Sequence, residues 1–192
     1  MGTIDRIDLL SRIARTAVGA PQASSAAGPL AVLSLSAASF GARPSEEATI
    51  PTGFDPIAVS LFEAIVEGAY LVANADGVVD DEERRTFERV VVAACGGALA
   101  PGQVQTLLAD CRSMLDKDGL DQRIAILTGF VRRLDHRHEL LRVASLLAMA
   151  SEGVNTRERA VLEKLAHGMG LGSDAVDAAL GDAAKVLTPP AV

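Results

Sequence analysis

The sequence predicts an all-α protein: a compact bundle of about seven helices built from two related helical hairpin halves, preceded by an N-terminal amphipathic helix and a linker. Three observations predict it. Apolar residues recur at helical spacing, and no segment alternates as a half-buried strand does. Seven periodic segments follow residue 55, separated by Gly, Pro or Asp punctuation. An apolar run ending in an acid–Gly turn occurs twice, at Asp76-Gly77 and at Glu152-Gly153, with the glycines 76 positions apart (153 − 77).

The chain order supports this division. Residues 3–17 place Ile4, Ile7, Leu10, Ile13, Ala14 and Ala17 on one helical face, with Asp5, Arg6, Asp8, Arg12 and Arg15 between them. Residues 1–18 therefore read as an amphipathic helix that docks on a partner or on the main domain. Its two acids do not suit an export signal. Residues 19–42 carry no charge and contain three glycines, two prolines and five serines. With 43–54 they read as a flexible linker over 19–54, a membrane-surface or partner-binding segment, or a cleaved export signal, through 19–42 being the alternatives. The apolar stretch 30–35 is too short to span a bilayer. Residues 55–187 form the main domain. Asp55-Pro56 opens it, with Asp as cap and Pro at the first helical position. Helices are expected at 55–75, 81–95, 101–116, 120–134, 136–150, 157–169 and 174–187.

Composition narrows the function. Aromatics make up 3% of residues and Trp is absent, so the core is Leu, Val, Ile and Ala, which suits closely packed helices. A net charge of −7 leaves no basic stripe to displace phosphate counterions, so no nucleic-acid partner is expected. Cys95 and Cys111 lie in apolar segments without a C-x-x-C spacing and read as core thiols in a reducing, cytoplasmic compartment. No phosphate loop, nucleophile elbow or Ser/His/Asp arrangement is present, so the chain is not expected to be an enzyme.

The chemistry concentrates at the two turns. Gly77 takes positive φ without steric cost and ends the helix before it. Asp80 is placed to cap the next helix, with Glu83 three residues on. In the second turn Thr156 is the expected cap. Phe87, Val90 and Ala94 match Leu162, Leu165 and Met169 at an offset of 75 (162 − 87). The turns themselves are offset by 76, so either Glu82 or Glu83 is the partner of Glu158. Hard divalent cations take oxygen ligands, and a turn between helices can aim several carboxylates at one point. Acids in a first helical turn also favour the positive end of the helix dipole, which explains them without any metal. An EF-hand does not fit, because its first ligand position falls on Val72. Asp116 to Gly119 is read as a helix–helix turn. His136 and His138 are two apart and do not share a helix face, and His167 reads as a partly buried residue rather than a ligand.

With these residues in view, the chain resembles a TerB-like domain of the tellurite-resistance family. The resemblance covers roughly residues 55–185. Ala75-Asp76-Gly77 followed by Asp81-Glu82-Glu83 carries it, echoed by Ser151-Glu152-Gly153 through Glu158. It implies a seven-helix bundle, a stress-response role and acidic turns that bind divalent metal (calcium, magnesium or manganese). The implied ligands are Asp76, Asp80 and Glu83, with Glu152 and Glu158 secondary. The second turn departs from the family pattern in having Glu152 where Asp is usual, and Thr156, Arg157 and Arg159 dilute its acids. The alternative function is a metal-free protein-interaction or scaffold module that docks through its N-terminal helix. A protein partner is expected in either case.

Overall fold

A computed structural model describes residues 2–18, 29–42, 54–77, 81–151 and 153–188. Among these the chain forms nine α-helices and no strand: α1 (Thr3–Val18), α2 (Pro29–Gly41), α3 (Pro56–Ala73), α4 (Asp81–Ala94), α5 (Pro101–Asp118), α6 (Leu120–Phe130), α7 (Leu134–Ser151), α8 (Thr156–Gly168) and α9 (Ser173–Val186).

The bundle is organised around α3 and α7. They pack on each other, and each also packs on the helix that follows the other's turn, α3 on α8 and α7 on α4. This crossed arrangement realises the two halves read from the sequence, α3–α5 and α7–α9. Phe87, Val90 and Ala94 and their counterparts Leu162, Leu165 and Met169 are all buried. The apolar length of α3 equals that of a membrane span. Here α2, α5, α6, α7 and α8 all pack against it, which explains why it shows no polar stripe.

Local chemistry sets the ends. Asp55 Oδ1 accepts from the Ile57 amide at 2.9 Å, with Pro56 at the first helical position, as the sequence predicts. α6 stops at Phe130, short of the expected residue 134, and α7 begins two residues earlier than expected. Arg137 fixes that corner by donating to the carbonyls of Val131 and Met169, both at 2.8 Å.

The structure differs most from the sequence reading at the expected linker. Residues 29–41 form α2, in which Leu30, Ala31, Leu33, Ser34, Ser36, Ala37 and Ser39 are buried. The physical reason is that a helix enclosed on most sides has no use for charge. Its serines satisfy themselves on carbonyls, Ser36 on Val32 and Leu33, and Ser34 on Ala94 of α4. Residues 19–28 and 43–53 of that expected linker lie outside the described residues. The amphipathic helix α1 docks on its own domain, burying Ile7, Leu10 and Ala14 against a surface formed with α2, α4 and α7. Gly96 permits this approach, since a Cβ there would stand 3.0 Å from the Ala14 carbonyl carbon.

Candidate metal centre

The last turns of α3 and α7 and the first turns of α4 and α8 meet around one cavity of about 440 Å³. α3 and its turn contribute Tyr70, Ala73, Asn74, Ala75 and Asp76. α4 contributes Glu83, Arg84 and Phe87. The end of α7 and the turn beyond it contribute Ser151, Gly153, Val154 and Asn155, and α8 contributes Glu158. Tyr70 and Phe87 form an apolar wall, their rings edge to face with centroids 6.1 Å apart. The site is thus a mixed cavity, apolar toward the core and acidic at its rim.

Each turn is shaped by its own sequence. α3 ends at Asn74, whose amide donates to the Tyr70 carbonyl at 3.0 Å and whose side-chain Nδ2 donates to the same carbonyl at 2.7 Å. Gly77 follows with φ +75° and donates its amide to Asn74 O. Gly153 takes φ +106° at the matching place in the second turn. α8 is capped by Asn155 and not by Thr156. Asn155 Oδ1 accepts from the amides of Arg157 (2.8 Å) and Glu158 (3.0 Å), and Glu158 Oε2 accepts from the Asn155 amide at 2.8 Å. The reason is geometric: Glu158 stands three residues after Asn155, which closes a reciprocal capping box, and Thr156 already lies within the helix.

Of the five carboxylates expected at the site, Asp76, Glu83 and Glu158 line the cavity. Asp80 and Glu152 lie outside the described residues. The ambiguity between Glu82 and Glu83 resolves toward Glu83, which faces the same cavity as Glu158 at the helical offset of 75 (158 − 83). By that offset Asp80 is the sequence counterpart of the cap Asn155, the signal that could have pointed to Asn155 in place of the expected Thr156. Asn74 and Asn155 also line the cavity, which sequence reading did not assign to them. It also passed over Arg84, whose guanidinium reaches Asp81 at 2.8 Å. Arg159 is engaged elsewhere, with Asp177 at 2.6 Å and Glu163 at 3.0 Å. His167 is exposed, not partly buried, because it falls on the outer face of α8 between the buried Leu165–Ala166 pair and Met169.

The candidate donors are hard oxygens, three carboxylates and the Asn74 amide oxygen, while Asn155 Oδ1 is taken by two helix amides; the negative dipole ends of α3 and α7 are offset by the positive ends of α4 and α8. That chemistry suits calcium, magnesium or manganese and not a thiophilic metal. Among the described residues, no three His, Cys, Asp or Glu side chains are drawn together as a ligand group.

The family model described as tellurite resistance protein TerB matches residues 63–180. The chain belongs to the TerB family. The match runs from within α3 into α9 and takes in both acidic turns of this TerB domain, while α1 and α2 lie N-terminal to it. No curated protein and no solved structure matches the chain.

Proposed function

We propose that this TerB-family chain is a non-catalytic domain that binds one divalent cation in the cavity between its two acidic turns. The observation that carries the reading is that Asp76, Glu83 and Glu158, from opposite halves of the sequence, line one cavity. A dipole-capping role accounts for Glu83 and Glu158, in the first turns of α4 and α8, but not for Asp76, which follows the end of α3, and it gives no reason for the two turns to face one another. When bound, the ion supplies positive charge that offsets carboxylate repulsion and ties the two helical halves together. The residues around it act by position: Asn74 and Asn155 hold the helix ends, and Tyr70 and Phe87 keep one side of the cavity dry. The family description supports a role of the tellurite-resistance type; we further propose a stress-response setting in the cytoplasm and a protein partner.

Thermal unfolding tests the reading. A cation that binds only the folded state stabilises it by RT ln(1 + [L]/Kd), about 2.7 kcal/mol at a hundredfold excess over Kd. Calcium, magnesium or manganese is expected to raise the melting temperature of chelator-stripped protein. The pair Asp76→Asn and Glu83→Gln is expected to remove the rise while keeping the helical content. A wild-type melting temperature indifferent to all three metals would sink the proposal, as would a double variant that responds like the wild type.

A further inference from the structure

The geometry points to Thr3 and Arg6 of the N-terminal helix as positioning residues for the cavity, clamping the end of α7 from which its second acidic turn departs. Arg6 Nη1 donates to the Met149 carbonyl at 2.9 Å, and Thr3 Oγ1 donates to the Ser151 carbonyl at 3.0 Å. These carbonyls belong to the last turn of α7, whose final four C=O groups have no partner within the helix. A guanidinium at a helix C-terminus also meets the negative end of its dipole. Ser151 itself lines the cavity, and Gly153, Val154 and Asn155 follow directly as its wall. On the same face of α1 as Thr3, Ile7, Leu10 and Ala14 are buried, and Ala14 lies against Gly96, so the helix has a fixed seat from which to hold α7. The clamp comes from outside the residues matched by the TerB family, yet it acts at the root of a turn inside them. The second turn is thereby held at both ends, at the α7 side by Thr3 and Arg6 and at the α8 side by the Asn155–Glu158 capping box.

The predicted effect on cation affinity rests on the function proposed above; the predicted effect on the turn does not. The test uses the full chain with Arg6→Ala and Thr3→Val combined, and Arg6→Lys as the conservative variant, since Lys also donates to a carbonyl. Hydrogen exchange is followed by mass spectrometry over 149–158, with α9 as the internal reference. Manganese is titrated separately by electron paramagnetic resonance. The double variant is expected to exchange at least tenfold faster over 149–158 with α9 unchanged, and to bind manganese several-fold more weakly. Arg6→Lys is expected to recover most of both. Wild-type exchange over 149–158 in the double variant would overturn the clamp. Faster exchange with an unaltered manganese midpoint would overturn its positioning role for the cavity. Faster exchange in a chain whose wild type takes no manganese would uphold the clamp and overturn the cation site instead.

Discussion

Arg123 is buried with its charge met from two other helices. Its Nε and Nη2 donate to Glu67 Oε1 of α3 at 2.8 and 2.6 Å, and its Nη1 donates to Asp118 of α5 at 3.0 Å. Removing one member of such a buried group leaves the others uncompensated, at a cost of about 3–5 kcal/mol. Arg123→Ala is therefore expected to lower the urea midpoint far more than Arg132→Ala at the exposed corner, which equilibrium unfolding measures directly. The sequence offered little warning of this pairing, since Glu67 and Arg123 are 56 positions apart and each looks like a stray charge in an apolar segment. The thiols were legible, because each continues an apolar helical period, Cys95 from Val91 and Cys111 from Val104, Leu107 and Leu108. Burial holds both Cys95 and Cys111 up at about 12, against an ordinary value of 9.0. A thiol whose folded pKa is raised stays protonated when its unfolded counterpart has ionised. Its stabilising effect is complete below about pH 9 and is lost as pH rises toward about 12. Melting temperature is expected to fall across that window, and Cys95→Ala with Cys111→Ala to flatten the fall. A thiol reagent at pH 8 is expected to label neither cysteine until the protein is unfolded.

At the scale of the element, α2 is where composition misleads. Pro29 stands at its start and Gly41 at its end, and Leu30, Leu33 and Ala37 share a face, all of which are helix signals. Five serines in 19–42 and the lack of any charge outweighed them in the reading, because both features also mark linkers. What decides between the two is whether other helices cover the segment, and that depends on α1, α3, α4 and α7 rather than on local sequence. Leu33 is fully buried, so Leu33→Ala is expected to cost about 2–5 kcal/mol, as a core leucine does and a linker leucine does not. The contact of α8 with α6 makes a second demand. A Cβ at Gly168 would stand 2.7 Å from Thr128 Oγ1, and that hydroxyl already donates to the Ile124 carbonyl at 2.8 Å. Gly168→Ala improves helix propensity but overpacks this crossing, so it is expected to destabilise by about 1–3 kcal/mol. A measured gain in stability would show that the helices separate at little cost.

Across the whole molecule, internal repetition made the architecture readable. The offset of 75 between Phe87 and Leu162 recurs between Glu83 and Glu158, and the structure turns that repetition into two halves facing one cavity. What repetition did not disclose is how the halves cross, because related hairpins can present their turns to the same end or to opposite ends of a bundle. The packing of α3 on α8 and of α7 on α4 brings both turns to one end. Arg84, which lines the same cavity, opposes a cation there. Arg84→Ala is accordingly expected to tighten cation binding by about two- to tenfold, as the removal of one nearby charge in a partly screened site would. The central claim is that the two turns make one site and not two. Calorimetric titration of chelator-stripped protein with calcium or manganese, repeated with Asp76→Asn and with Glu158→Gln, tests it most directly. The account predicts one ion per chain and a weakening of that single binding step by either substitution. Two independent binding steps, each lost to a different substitution, would contradict it, as would no binding heat in the wild type at any salt concentration.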